Sequence, residues 1–197
     1  MLTAAGNRLI LAAEELNHLD AVIGDGDHGI TMKKIAECMI SYANKDYQRS
    51  NELFADLGLA ILSTPGGSAC TLYGIFLGGF LSEQKDDEFN VKSMKEMIFN
   101  GYQQLRNISG AKVGDKTMMD ALVPAIQTLE ASEGDAATIL RQAAESAKSG
   151  AEGSKGYVAK YGRAKNYKER TIGFPDPGAV SMTMLFEGFA AALEVSK

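Results

Sequence analysis

Cysteine is scarce in this chain of 197 residues: Cys38 and Cys70 are the only two. Two thiols make neither a disulfide framework nor a metal-ligand spacing, so both are expected as reduced, buried side chains, which suits a cytoplasmic protein. Positive charge is also in short supply. Twenty Lys and Arg against 25 Asp and Glu leave a net charge of −5. That balance argues against general affinity for nucleic acid or anionic membranes, although a local basic cluster can still serve a phosphate. No segment reaches about 18 uncharged apolar residues, the length needed to cross a bilayer. The opening Met1-Leu-Thr-Ala-Ala-Gly-Asn-Arg8 lacks the basic start and continuous apolar stretch of a signal peptide. A soluble protein is expected. Convincing strands are missing too.

Helical periodicity fills the chain instead. Leu9, Ala12, Ala13, Leu16 and Leu19 form one stripe, and Met32, Ile35, Ala36, Met39, Ile40 and Ala43 form a second. Leu53, Leu57, Ala60 and Ile61 predict a third helix, ended by Ser63-Thr64-Pro65-Gly66-Gly67; Leu72, Ile75, Phe76, Gly79 and Phe80 predict a fourth. The acidic stretch Glu83 to Glu88 reads as a solvated loop. Val91 to Leu105 then forms the fifth helix and Met118 to Leu129 the sixth. Asp135 is placed to cap a seventh, alanine-rich helix towards Ser154, and the eighth runs from about Gly178 to Val195. The expected fold is all-α: a bundle of eight antiparallel helices forming a single domain over residues 1–197, without internal repeat or linker. Met and Phe at helical spacing are read as core.

Four connections combine glycine with Asp, Ser, Lys, Thr or Arg: residues 20–31, 64–71, 109–118 and 155–178. They follow the first, third, fifth and seventh predicted helices, so an up-and-down bundle places all four at one pole. Distant parts of the chain can then build one site there.

The first connection, Asp20-Ala-Val-Ile-Gly-Asp25-Gly-Asp27-His28-Gly29-Ile-Thr31, crowds three carboxylates and three glycines together. At 4 Å and an effective dielectric near 20, each ionised pair repels by about 4 kcal/mol, a penalty that a divalent cation removes. All-oxygen ligands suit a hard ion such as magnesium, with His28 a phosphate or outer contact. Helix capping explains one or two of these acids but not three. Gly24-Asp-Gly26-Asp-His-Gly29 matches the glycine spacing of a dinucleotide fingerprint, yet no βαβ unit surrounds it. An EF-hand fails as well: counting from Asp25, Ile30 and Ala36 stand where glycine and glutamate belong.

Thr64-Pro-Gly-Gly67-Ser68-Ala-Cys-Thr71 opens a helix, a general anion-binding arrangement that an ordinary capped Pro-Gly turn also explains. Gly110-Ala-Lys-Val-Gly114-Asp115-Lys116-Thr117 approaches a Walker A sequence, but Asp115 replaces its second glycine and no strand precedes it. A capped helix start is the plain alternative there. The last connection concentrates Lys155, Lys160, Arg163, Lys165, Lys168 and Arg170, and Pro175-Asp176-Pro177-Gly178 leads from it into the final helix. More than about twenty residues without helical pattern read as a lid or phosphate-binding loop, with a solvated charged loop as the alternative.

Taken together, Leu19-Asp20 with Gly24-Asp-Gly-Asp-His-Gly29, Gly66-Gly67 with Leu72-Tyr-Gly74, Gly114-Asp-Lys-Thr-Met118 with Asp120, and Gly162-Arg-Ala164, Glu169-Arg170, Ile172-Gly173 and Asp176-Pro-Gly-Ala179 carry a family resemblance. Along nearly its whole length the chain resembles the nucleotide-binding L subunit of dihydroxyacetone kinases. The resemblance implies a closed barrel of eight antiparallel helices with the nucleotide at one end. It implies that Asp20, Asp25 and Asp27 hold two magnesium ions, which hold the phosphates of ADP or ATP, the acids acting as metal ligands and not as acid–base groups. By the same likeness His28, Gly29 and Thr31 contact the nucleotide, Gly67, Ser68 and Ala69 cradle phosphate, and Ser109 and Gly110 lie near the nucleotide. Met118 would line the adenine pocket, and Arg163 with Asp176, Pro177 and Gly178 would cover it. Phosphoryl transfer of this kind rests on positioning and charge neutralisation.

The likeness further implies that the ketose sits on a separate K subunit. Phosphate arrives either through ATP exchange or by rephosphorylation of held ADP by a phosphotransferase-system protein. A homodimer is left open, while nucleic acid and membrane are not expected partners. Three places depart from the usual family pattern. Gly66-Gly67-Ser68-Ala69-Cys70-Thr71 stands where Gly-Gly-x-Ser-Gly-Pro is usual, so Ala69 holds the customary phosphate-binding serine position and Ser68 or backbone amides substitute. Thr31 stands where asparagine is usual, and Ser109-Gly110 displaces a glycine. The alternatives are a kinase for another ketose or a fatty acid, and a regulatory nucleotide-binding adaptor; the retained acids argue against the adaptor.

Overall fold

Side-chain caps fix where several helices begin. Asn90 accepts a hydrogen bond from the Ser93 amide at 3.0 Å while the Ser93 hydroxyl accepts from the Asn90 amide at 2.9 Å, a reciprocal capping box. Asp135 accepts from the Thr138 amide at 2.8 Å, the cap expected for the alanine-rich helix. The computed structural model describes residues 1–82 and 90–194. The stretch 83–88, read as a solvated loop, and Val195, read as the end of the last helix, lie outside the described residues. Within them, all regular structure is helical: α1 (Leu2–Leu11), α2 (Ala13–Ile23), α3 (His28–Ala43), α4 (Ser50–Leu62), α5 (Gly67–Gly78), α6 (Val91–Ile108), α7 (Met119–Ala131), α8 (Ala136–Gly153) and α9 (Pro177–Glu194).

The periodicity predicts one helix through Leu9 and Leu19, and the structure has two. Ala12, at φ −91° and ψ 1°, ends α1 by donating to the Arg8 carbonyl at 3.1 Å, and α2 starts at the next residue. The break lets α1 bury Leu2, Ala5 and Leu9 against α3 and α9, while α2 buries Leu16 and Ile23 and carries Asp20. Leu9 and Leu16 remain in helical step across it, so the apolar pattern gives no sign of the interruption. 3₁₀ turns at Ser154–Gly156 and within Ala164–Thr171, the latter broken by a kink at Lys168, also occupy the connection 155–178, and its lack of helical period did not predict them.

Packing closes the helices into a ring. α1 lies on α3 and α9, α3 on α4 and α5, α5 on α4 and α6, α6 on α7, α7 on α8, and α8 on α9. One continuous core runs through it, with Met32, Met39, Met94, Met182, Phe76, Phe186 and Phe189 buried as the stripes predict. Two seams depend on glycine because the helices touch backbone to backbone. A Cβ on Gly188 of α9 would stand 2.3 Å from the Ala5 Cα of α1, at the closure of the ring. A Cβ on Gly150 of α8 would stand 1.9 Å from the Asp120 carbonyl oxygen of α7. That carbonyl is the one Pro124 leaves without a helical N–H partner, so close approach at Gly150 covers an acceptor that the helix cannot satisfy. No helix among the described residues is long and apolar enough to cross a membrane.

Candidate functional site

All four glycine-bearing connections meet at one cavity of about 590 Å³. Asp20, Asp25, Asp27, His28 and Thr31 line it from the first; Gly67, Ser68 and Ala69 from the second; Lys116, Thr117 and Met118 from the third; Arg163, Asp176, Pro177 and Gly178 from the fourth. α3, α5 and α9 begin at His28, Gly67 and Pro177, and α7 begins directly after Met118. Four helix N-termini therefore face the same space. The positive ends of their dipoles make its wall attractive to anions.

The carboxylates sit among these positive helix ends. Ligand oxygens of Asp20, Asp25 and Asp27 all lie within 4.8 Å of one another. Asp20 is held firmly: its Oδ2 accepts from the amides of Gly26 (2.9 Å), Asp27 (3.0 Å) and His28 (3.3 Å). The capping alternative is thus correct for one oxygen of one acid. Asp20 Oδ1 is not among those acceptors, and it is the atom that Gly24 makes room for, since a Cβ there would stand 2.1 Å from it. Asp25 Oδ2 pairs with Arg163 Nη1 at 2.5 Å. The Asp27 carboxyl is pushed above its ordinary range by partial burial first and then by the negative charges of Asp25 and Asp20. Three crowded hard oxygen donors fit magnesium.

His28 begins α3 with its ring buried, and burial lowers its pKa to about 4, against smaller opposing effects from Asp20 and the Pro177 carbonyl. It is neutral near pH 7. Its Nε2 lies 2.9 Å from Ser181 Oγ of α9, which lies 2.9 Å from the Tyr73 hydroxyl of α5 and donates to the Gly178 carbonyl at 3.0 Å. Burial raises the Tyr73 hydroxyl far above its ordinary pKa, so it stays protonated.

The Gly114-Asp-Lys-Thr loop is built differently. Asp120 accepts from the Gly114 amide at 2.6 Å and the Thr117 amide at 2.7 Å, closing the loop over the start of α7. Asp115 accepts from the Lys112 amide at 3.0 Å and pairs with Lys160 at 2.5 Å, a partner that holds its carboxyl below the usual range. Lys116 adopts φ 59° and buries its ammonium, which donates to the carbonyls of Ser154 (2.6 Å) and Phe174 (2.5 Å). It fastens the end of α8 to the approach of α9. There, Asp176 caps α9 through the Ala179 amide at 2.8 Å, and Pro177 takes the first helical position. Enclosure by protein on most sides pushes the Asp176 carboxyl up to about 7, although part of its surface opens to the cavity.

The segment between these anchors folds over the aspartates. Besides the Arg163–Asp25 pair, the Tyr167 hydroxyl donates to the Gly24 carbonyl at 3.4 Å, and Arg170 stacks on the Tyr167 ring. On the facing wall, Lys34 donates to the Pro65 carbonyl at 3.0 Å and holds the turn before α5.

Three residues expected near nucleotide do not line the cavity. Gly29 is buried against α2, where a Cβ would stand 1.8 Å from the Ala13 carbonyl, so its place is a helix–helix seam. Ser109 ends α6 and accepts from the Ala111 amide, and Gly110 lies beside the Tyr161 hydroxyl. Conversely, Lys34 lines the cavity, and Ser181 stands behind its wall, without having been singled out in the sequence. Lys34 follows Thr31 by three positions, one helical turn, which is the only local signal for it. Ser181 and Tyr73 lie 108 positions apart, and no local pattern joins them.

Residues 22–191 match the DAK2 domain. The chain is 31% identical over 199 aligned positions to the ADP-binding subunit DhaL of the PEP-dependent dihydroxyacetone kinase of Escherichia coli, covering 97% of this chain and 93% of that one. It is 32% identical to the ADP-binding subunit DhaL of the PTS-dependent dihydroxyacetone kinase of Lactococcus lactis, covering 87% and 84%. The dihydroxyacetone kinase of C. freundii, solved in complex with AMP-PNP and Mg2+, superposes with a TM-score of 0.72 at 28% identity over 97% of this chain and 33% of that chain. This chain thus spans nearly all of the E. coli subunit and a third of the C. freundii kinase. With the domain match running from α2 into α9, the chain belongs to the DAK2 domain family.

Proposed function

We propose that this chain is the nucleotide- and magnesium-binding subunit of a short-ketose kinase, a cytoplasmic single-domain protein. It presents ADP or ATP for phosphoryl transfer to dihydroxyacetone, or a related ketose, held by a separate K-type subunit. One observation carries the reading: three aspartates with ligand oxygens within 4.8 Å stand at a cavity where four helices begin. Helix ends alone would bind an anion weakly, and carboxylates alone would repel one. Combined, they are complementary to a magnesium-bound polyphosphate.

Asp20 Oδ1, Asp25 and Asp27 would hold the metal, while the three amide bonds to Asp20 Oδ2 keep the loop from collapsing onto it. Bound magnesium supplies charge neutralisation and fixes the phosphate oxygens. Charge arithmetic supports two ions: three aspartates and a nucleoside diphosphate of about −3 approach −6, which two ions bring to about −2. The four helix ends and Arg163 offset the remainder. Gly67, at φ 62°, opens α5 so that the amides of Ser68 and Ala69 serve phosphate without the customary serine hydroxyl. Neutral His28 contributes hydrogen bonding instead of charge. Met118, Pro177 and Gly178 give the adenine an apolar wall, with Arg163 above it. The aspartates of the first loop act as metal ligands and not as bases, so the chain's part in catalysis is positioning and electrostatics.

The test begins with the purified chain: denaturation followed by identification of released nucleotide, then titration of ADP with and without magnesium. Turnover is measured with a K-type partner, offering dihydroxyacetone and a four-carbon ketose separately. ATP alone is compared with phosphoenolpyruvate plus the general phosphotransferase proteins. Magnesium-dependent ADP binding and ketose phosphorylation are expected. ADP retained through purification favours phosphate donation from phosphoenolpyruvate. Absence of any magnesium-dependent nucleotide binding would overturn the reading.

A further inference from the structure

One hydroxyl behind the cavity touches three of its walls. Ser181 Oγ, on the first turns of α9, donates to the Gly178 carbonyl at 3.0 Å. It stands 2.9 Å from His28 Nε2 at the start of α3 and 2.9 Å from the Tyr73 hydroxyl, on α5 behind the Gly67 turn. A hydroxyl offers one proton and two lone pairs. One assignment consistent with these three contacts has Ser181 donating to Gly178 and accepting from Tyr73 and from the Nε2–H tautomer of His28. Its capacity is then full, and Ser181 itself has no exposed surface.

The elements meeting at this atom are separate parts of the proposed site. His28 follows the metal ligands Asp25 and Asp27 directly, and the Asp20 carboxylate holds its amide at 3.3 Å. Tyr73 belongs to the helix whose first residues, Gly67 to Ala69, face phosphate. Gly178 belongs to the wall assigned to adenine. α2 and α3 hold each other through Gly29, and Lys34 ties α3 to the turn before α5. Only the Ser181 hydroxyl bonds to α3, α5 and the start of α9 at once among the hydrogen bonds of the described residues.

We propose that Ser181 is the positioning residue of this site: by bonding His28, Tyr73 and the Gly178 carbonyl together, it sets the spacing between the metal-binding loop, the phosphate turn and the nucleotide cover. The role rests on the nucleotide reading above and deepens it. Ser181 touches neither metal nor phosphate and acts only through the groups it aligns. Its loss therefore weakens the coupling between metal and nucleotide more than it weakens the fold.

The experiment compares wild type, Ser181→Ala, Ser181→Thr and Tyr73→Phe. ADP binding is titrated with a fluorescent ADP analogue across magnesium concentrations, and ketose phosphorylation is measured with the K-type partner. Ser181→Ala is expected to raise the half-saturating magnesium concentration and to lower kcat, each by about tenfold, since misplacement of about 1 Å at such a site costs even more. The ketose KM should hold steady, because the ketose binds on the other subunit. Ser181→Thr, which keeps the hydroxyl, should recover most of the loss, and Tyr73→Phe should show a smaller shift in the same direction. A folded Ser181→Ala protein with magnesium midpoint and kcat within about twofold of wild type would overturn the proposal, since alignment losses exceed that. If Ser181→Ala does not fold, Tyr73→Phe decides alone: an unmoved magnesium midpoint overturns the proposal, and a raised one supports it. A wild-type chain that binds no ADP with magnesium overturns the nucleotide reading and the proposal together, an outcome distinct from a variant that simply matches wild type.

Discussion

Two short acidic glycine loops end at helix starts on the same cavity, and their carboxylates have opposite fates. At the entry to α7, Asp115 of the loop and Asp120 of the first turn present four oxygens and meet four donors: the amides of Lys112, Gly114 and Thr117 and the Lys160 ammonium. At the turn from α2 into α3, Asp20 commits Oδ2 to three amides and Asp25 meets Arg163, while Asp27 is pushed towards protonation by partial burial first and then by its acidic neighbours. The first loop is complete without a ligand. The second is assembled by the fold and left short of positive charge. Both loops carry the same glycine-and-aspartate chemistry in sequence, so what separates a structural turn from a cation site is the supply of donors around each oxygen.

The largest expected effect breaks the second loop functionally. Asp25→Ala combined with Asp27→Ala should weaken magnesium-dependent ADP binding by about 100-fold or more, as loss of direct ligands exceeds the 10–100-fold cost of losing their supports. Urea unfolding of the same metal-free protein should show no loss of stability, because two repelling charges are removed. Asp120→Ala should do the reverse. It strands the part-buried amides of Gly114 and Thr117, and with a cost of about 1 kcal/mol for each such unpaired group, urea unfolding should reveal a loss of about 2 kcal/mol.

Asp176 sharpens the contrast, being capped like the first loop yet burdened in charge like the second. Burial pushes its carboxyl up to about 7, whereas an unfolded Asp titrates near 4. The folded state therefore holds this proton more tightly. Its contribution to stability is fully present below about pH 4 and is lost as pH rises towards 7. Asp176→Asn keeps an acceptor for the Ala179 amide, so the decline of unfolding free energy over that window should flatten in the variant. The smallest effect belongs to Lys160→Ala. Lys160 is largely exposed although Asp115 is buried, so solvent screening leaves the pair a small contribution, readable as a slight shift of the urea midpoint.

Much of this architecture can be read from residue order. The stripes from Met32 to Ala43 and from Met94 to Leu105 place α3 and α6, Asp135 marks the start of α8, and alternate placement of the glycine connections puts them at one pole. Periodicity works here because a helix that buries one face must repeat its apolar residues. It fails at Ala12, where a break keeps the repeat in step, and it is silent on Gly29, expected from the family likeness to touch nucleotide, against which α2 packs. The third connection was legible only in part: Thr117 and Met118 reach the cavity, whereas Ser109 and Gly110 stay with the end of α6.

Residue types and their spacing were enough for an all-helical chain whose acidic loop wants a hard cation, because helix period and carboxylate repulsion are local properties. The division of labour among those carboxylates is not local. Asp20 keeps Oδ1 uncommitted because the turn into α3 sets three amides onto Oδ2, and the Asp115 carboxylate is met by Lys160, 45 positions away. Ser181 reaches His28 across 153 positions for the same reason. Closure of the helix ring brings such groups within 3 Å, and at that range hydrogen bonding decides which polar atoms are structural and which remain for a ligand.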